Sequence, residues 1–248
     1  MSELKELDCQ IALSFNWLNL LPSDFRSCFQ YGVFNAHPGD LPKYKGNACP
    51  NWAMINGDEK IVIAVHEMVD ELDSGDIALK SSLEINENTY IQDIYNWLET
   101  EIPNMYLKLI KDFEQIHPKM QKQSMLKEDS LRCFPRRPSD SQIDWTQSSD
   151  DILRLIRASS SPFSGAYTHL EGQEKIIIWK AQKYELNSIL QGAPGQVAFP
   201  SPSNNPLILC GANPQDLIEL THVSSENLGE SETKRSILKS LRNRLFSN

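Results

Sequence analysis

Asn35 and His37 stand two residues apart in Val33-Phe34-Asn35-Ala36-His37, a run that ends at Pro38-Gly39. Two residues apart on a strand, their side chains point to the same face. A carboxamide and an imidazole side by side at a strand end suit acyl-type chemistry: the amide donates to a developing oxyanion, and the imidazole accepts or orients a proton. Such a pair needs a third group to hold the imidazole charge or relay the proton. Asp73, in the tight polar run Asp73-Ser74-Gly75-Asp76, is the candidate. The plainer role for Asn35 and His37 is to cap the turn before Pro38. The pair alone leaves both readings open.

The elements that must position these residues are legible as alternating strands and helices. Residues 11–15 and 32–36 read as short buried strands, 61–66 as a β-branched strand and 77–85 as a further one. Pro22-Ser23-Asp24 opens a short helix, and residues 48–55 have helical spacing that ends at Asn56-Gly57. From 89 to 115 a long amphipathic pattern predicts a helix, with a kink or break at Pro103. This alternation predicts an α/β fold with an open sheet, in which ligands sit at the carboxyl ends of the strands. Only about four strands are visible, fewer than a doubly wound domain carries. Residues 118–145 are polar, hold Pro118, Pro135 and Pro138, and read as a linker. After a short helix at 150–158, apolar runs at 166–170, 175–181, 195–199, 206–209 and 216–222 are separated by turn residues. Five short strands at that spacing predict a small β-barrel or sandwich. Residues 232–245 predict a basic amphipathic terminal helix.

Composition narrows the function. The chain has 248 residues, 40% apolar and 23% charged, which suits a globular protein. No apolar run is long enough to cross a bilayer, and the first ten residues carry acid and no apolar core of a secretory signal. The five cysteines are scattered with no C-x-x-C, so neither a disulfide framework nor a structural zinc site is expected, and the expected compartment is the cytoplasm. The net charge is −9. The acid lies in residues 1–130, with 11 basic against 21 acidic side chains; residues 131–248 have 13 against 12. Such a balance argues against a phosphate-backbone surface. The basic cluster from Lys234 to Arg244 reads as a solvated face. His66, on an apolar strand, reads as a hydrogen-bonded core histidine, and Cys49, near the expected site, as structural.

Phe34-Asn35-Ala36-His37-Pro38-Gly39-Asp40-Leu41-Pro42-Lys43-Tyr44-Lys45-Gly46 resembles the signature of formyltransferases that use 10-formyltetrahydrofolate. His66-Glu67-Met68-Val69-Asp70-Glu71-Leu72-Asp73-Ser74-Gly75-Asp76 resembles that family's second signature, an acidic loop ending in D-x-G. Further on, Pro135-Arg136-Arg137-Pro138, Ile143-Asp144-Trp145, Pro162-Phe163-Ser164-Gly165-Ala166 and Pro194-Gly195-Gln196-Val197 are similar to the C-terminal domain of methionyl-tRNA and amino-sugar formyltransferases.

The resemblance implies a partial Rossmann-like formyltransferase domain over residues 1–117 and, over 146–248, an OB-like barrel with its terminal helix. The catalytic trio carries over to Asn35, His37 and Asp73. The co-substrate is 10-formyltetrahydrofolate, with no metal. By analogy its pterin docks against Phe15, Asn16, Trp17 and Leu18 on one loop and Met68, Val69, Asp70 and Leu72 on another. Two departures matter. The first βαβ units expected of the family are absent before the N-x-H strand, so the catalytic domain is expected to be N-terminally incomplete. Gly39-Asp40 also replaces a small-polar and apolar pair, placing an acid near the substrate entrance. The implied reaction is formyl transfer to the primary amine of a nucleotide-linked amino sugar. The alternatives are methionyl-tRNA formyltransferase and a truncated, non-catalytic homologue. The expected partner is therefore a small nucleotide sugar in preference to tRNA, with no membrane, and a homodimer is left open.

Overall fold

The computed structural model describes the chain except residues 1–3, 5, 7, 18, 116–117, 171–173, 187, 212–215 and 247–248. It separates into two compact units, one built from residues 1–53, 58–86 and 93–135, the other from 54–57, 87–92 and 136–248.

The first unit contains a four-stranded sheet of β1 (Ala12–Phe15), β2 (Val33–His37), β4 (Lys60–Glu67) and β5 (Ile77–Glu84), in the order β1-β2-β4-β5. β1 runs parallel to β2; β4 is antiparallel to both β2 and β5. β4 is one of the two interior strands, and Ile61, Val62, Ile63, Ala64, Val65 and His66 are all buried, as a β-branched run enclosed on both faces requires. Two short strands, β3 (Lys45–Gly46) and β6 (Arg132–Cys133), pair in parallel apart from this sheet.

Two short helices, α1 (Ser23–Arg26) and α2 (Cys49–Asn56), precede the long α3 (Ile91–Gln115). α3 buries Ile91, Ile94, Leu98, Ile102, Met105 and Leu109, the three-and-four spacing of a single apolar stripe. Phe113 meets Phe34 of β2 edge-on at 5.4 Å and stacks on Tyr31 at 4.7 Å. The helix runs through Pro103 without the break that the proline suggested. Proline removes the hydrogen bond to the carbonyl of Glu99, but Glu99 and Pro103 are both exposed, so water can take that carbonyl.

The second unit is a curled antiparallel half-barrel. Its sheet runs β12 (Leu245–Phe246), β7 (Ala166–Leu170), β8 (Glu174–Tyr184), β11 (Asp216–Ser225), β10 (Pro206–Cys210), β9 (Val197–Pro200). Its two ends approach each other: the Leu245 N–H donates to Gly195 O at 2.8 Å, and the Val197 N–H to Asn243 O at 3.1 Å. A side chain on Gly195 would collide with Leu245 O, its Cβ at 1.9 Å, so glycine is what permits this seam. α4 (Ser149–Ser159), capped by Ser148 accepting from the Asp151 N–H, packs Ile152 and Ile156 into the core with Trp145, Ile176, Ile178 and Ile218.

The terminal helix is shorter than its basic pattern suggested. α5 spans Glu230–Leu238, and the chain then turns and adds β12 to β7. Asn243 explains the stop. Its side-chain amide donates to the carbonyls of Ser236 and Ile237, satisfying the end of the helix, while Leu245 is buried in the sheet. Among the described residues no helix is long and apolar enough to cross a membrane.

Candidate active site

β2 carries Asn35 and His37, and its antiparallel partner β4 sets His66 directly opposite Asn35. Directly opposed residues share a face, so these three side chains gather on one side of the sheet. Asp73 arrives from the connection between β4 and β5. Its backbone lies in the left-handed region at φ +49°, a turn that reverses the chain and aims its carboxylate back at β2 and β4. Gly75 makes the return possible, because a Cβ there would lie 1.9 Å from Glu67 O.

The carboxylate of Asp73 sits between two imidazoles. Oδ2 is 3.7 Å from Nδ1 of His37, and Oδ1 is 3.6 Å from Nε2 of His66. The Gly46 N–H donates to Oδ2 at 2.8 Å. Backbone carbonyls fix both ring tautomers, since a carbonyl can only accept. Nε2 of His37 lies 2.7 Å from Tyr44 O, and Nδ1 of His66 lies 2.8 Å from Glu67 O, so each of these nitrogens carries a hydrogen. The other nitrogen of each ring, Nδ1 of His37 and Nε2 of His66, faces the Asp73 carboxylate. A proton taken up by His37 lands beside the carboxylate.

Burial lowers the pKa of His37, with Asp73 pulling the other way. The ring is held neutral, as an acceptor must be. For Asp73, burial would raise the pKa, but His66, His37 and the Gly46 N–H together outweigh it and hold the carboxyl below its usual range. A neutral buried base beside an ionised carboxylate is a general-base arrangement. Asn35 is half-buried, and its Oδ1 meets no hydrogen-bond partner among the described residues. Lys45 donates to Ser74 at 2.8 Å and so ties the loop after β2 to the D-x-G loop. Cys49 is buried, donates to Tyr44 O at 3.0 Å, and burial pushes its thiol well up, which leaves it a structural thiol.

The structure thus brings His37 and Asp73 together and places Asn35 on the same face of the sheet. The sequence-predicted co-substrate residues are spread more widely. Phe15 and Trp17, about half exposed, line an open groove with Leu13, Leu21 and Phe25. Asn16 between them has φ +58°. Leu18 lies outside the described residues. Met68 lines a second cavity with Arg26, Tyr31 and Phe113. α1 stands between the two, giving Ser23 and Arg26 to one and Asp24 and Phe25 to the other. Arg26 donates to Met68 O at 3.0 Å and pairs with Asp70, fixing the acidic loop. Val69 and Leu72 are half-buried on that loop.

Two side chains of the site were not singled out for it by their sequence context. His66 read as core because it interrupts an apolar strand; its register opposite Asn35 was the signal that would have found it. Gln123, in the polar stretch after α3, donates from Nε2 to the carbonyls of both Asp73 and Gly75.

Comparison with known proteins gives this geometry a context. Residues 1–110 match the family described as formyl transferase, and residues 136–233 match the formyl transferase C-terminal domain. The chain is 30% identical over 249 residues to the bifunctional polymyxin resistance protein ArnA of Wigglesworthia glossinidia brevipalpis, covering 96% of this chain and 36% of that protein. It therefore spans about a third of the length of that relative. HypX from Aquifex aeolicus, solved in complex with tetrahydrofolic acid, superposes with a TM-score of 0.62 at 19% identity, over 91% of this chain and 37% of that one. WlaRD, a sugar 3N-formyl transferase solved with dTDP and 5-N-formyl-tetrahydrofolate, gives 0.63 at 19% identity, over 88% and 73%. At these identities the structural likenesses establish the fold. With matches to both of its domain models, one over each side of Pro135, the chain belongs to the formyl transferase family.

Proposed function

We propose that this chain transfers a formyl group from 10-formyltetrahydrofolate to the primary amine of a nucleotide-linked amino sugar. The observation that carries the reading is the buried pair of a neutral His37 and an ionised Asp73, on the same face of the sheet as Asn35. The amine nitrogen attacks the formyl carbon as the free base, and the carbonyl oxygen becomes an oxyanion. The Asn35 amide donates to that oxyanion. The proton lost by the amine passes to the His37–Asp73 pair. The bond from the formyl carbon to N10 of the folate then breaks, and the proton returns to N10. Tetrahydrofolate and the formamide leave, with charge and atoms balanced.

The acidic first half of the chain and the likeness to WlaRD, a sugar 3N-formyl transferase solved with dTDP, support a nucleotide sugar as acceptor. The test is formyl transfer from 10-formyltetrahydrofolate to a dTDP-linked amino sugar, followed by mass spectrometry of the product, with charged initiator tRNA assayed in parallel. Formylation of the sugar nucleotide is expected. Formylation of tRNA alone would overturn the acceptor, and no transfer to either would overturn the reaction.

A further inference from the structure

Gln123 is buried, with 8% of its surface exposed, in a stretch otherwise almost wholly solvent-facing. Both hydrogens of its amide are spent on one object, the turn that carries Asp73. Nε2 donates to Asp73 O at 2.9 Å and to Gly75 O at 2.7 Å. Chemistry fixes this orientation, because two carbonyls can be met only by the NH2 end. The cost is on the other side of the amide, where Oε1 is buried with no partner among the described residues. An acceptor left unmet inside a protein is unfavourable by about 1–3 kcal/mol. A hydrophobic filler would avoid that cost, but it would leave the two carbonyls of a left-handed turn with no donor.

The chain around Gln123 is laced to the same place. Two residues earlier, Gln121 and Ile77 exchange both backbone hydrogen bonds at 2.8 Å. Further along, the Lys45 N–H donates to Leu131 O and the Asn47 N–H to Cys133 O, so β6 fixes β3 on one edge. The Gly46 N–H between them is left facing the other way, onto Oδ2 of Asp73. Residues 121–133 thus hold Asp73 twice: by its backbone through Gln123, and by its carboxylate through the strand they brace.

We infer that Gln123 is a positioning residue for formyl transfer, setting the turn that aims the Asp73 carboxylate between His37 and His66. The inference rests on the proposed reaction. Displacement of a catalytic group by about 1 Å costs up to roughly a hundredfold in rate.

The test compares the whole chain with Gln123→Met, which keeps the shape and removes both donors, and Gln123→Asn, which keeps the amide one methylene short. Lys122→Ala, at an exposed neighbour, is the control. Two readouts are taken: kcat and KM for the formyl donor, and the long-range proton–nitrogen signals of the imidazoles. In Gln123→Met the His37 and His66 signals should move while that of His222, in the other unit, stays. kcat should fall about tenfold to a hundredfold with KM within about twofold. Gln123→Asn should lie between, and Lys122→Ala should match the parent. Unmoved His37 and His66 signals in either folded variant would overturn the inference. So would an unchanged kcat with only a lower melting temperature, or failure of both variants to fold. If the parent chain transfers no formyl group, the proposed reaction fails, and the imidazole signals still decide whether Gln123 sets Asp73.

Discussion

The backbone N–H of Gly46 meets the carboxylate of Asp73 at 2.8 Å, joining the loop that follows β2 to the loop that follows β4. Neither partner has an ordinary backbone: Gly46 has φ +101° and Asp73 φ +49°. A Cβ at 46 would also lie 2.4 Å from Cys133 O. Gly46→Ala is therefore expected to destabilise the protein by about 1–3 kcal/mol through backbone strain alone. It should also lower kcat, because the N–H cannot hold its direction. Urea unfolding and a single-turnover rate on the same preparation check both effects.

The pH dependence follows from His37. Its ring must be neutral to accept a proton, and burial holds its pKa below 6.5. The acid limb of kcat/KM is expected below that value. Asp73 raises the His37 pKa, so Asp73→Asn should move the limb lower still as it cuts the rate. His37→Gln should lower kcat by about a hundredfold to ten-thousandfold, the usual contribution of a general base. A limb that moves upward in Asp73→Asn would contradict the assignment.

Stability should follow pH in the same direction. The unfolded chain takes a proton at His37 near pH 6.5, while the buried ring resists it, so this residue's contribution is lost as pH falls from 6.5 toward the folded pKa. The lowered carboxyl of Asp73 contributes stability above the ordinary aspartate range and loses it as pH falls through the folded pKa. Melting temperature should thus drop from pH 7 to pH 4, and His37→Gln should flatten the upper part of that drop.

Tyr106 of α3 reaches between β1 and β2. Its hydroxyl accepts from the Ala36 N–H at 2.8 Å and donates to Ser14 O, and burial pushes its pKa up to about 12. Tyr106→Phe leaves a donor and an acceptor without a partner at the strand end beside His37. A loss of about 1–3 kcal/mol is expected by chemical denaturation, with faster amide exchange at Ala36.

The parts of the site carried by one continuous segment were legible in the sequence. Asn35 and His37 share a strand, and Asp73 lies in a turn marked by its own Ser74-Gly75. The longer strands of both units could be read because β-branched runs between turn residues are local signals, whereas the two-residue β3, β6 and β12 fell in stretches expected to be a loop, a linker and a helix. What escaped depends on pairing. His66 owes its place to register with Asn35, and an isolated apolar strand containing one histidine reads as core. Gln123 sits in a polar, proline-bearing stretch, and nothing in residue type announces that its amide will be folded under Asp73. The end of α5 escaped for a similar reason, because Asn243 caps it from five residues beyond Leu238. At Pro103 the helix continues where a break was one of the two expected outcomes, because the carbonyl that the proline leaves free belongs to an exposed residue, Glu99.

Acceptor choice has an electrostatic signature. A chain of net charge −9, with its acid concentrated in the half that bears His37 and Asp73, repels a polyanion. A nucleotide sugar brings one diphosphate, whereas tRNA brings a phosphate at every residue. Binding through six or more phosphates loses about a thousandfold or more between 50 and 200 mM salt, and binding through one or two loses little. The expected result is therefore that kcat/KM for a dTDP-linked amino sugar changes by less than about threefold over that range. Rates measured at fixed formyl donor, with the salt varied and the pH held, separate the two acceptors. A steep fall, together with saturable formylation of charged tRNA, would place the acceptor among nucleic acids. It would require a basic surface, and the 13 basic against 12 acidic side chains of residues 131–248 would have to segregate sharply to supply one.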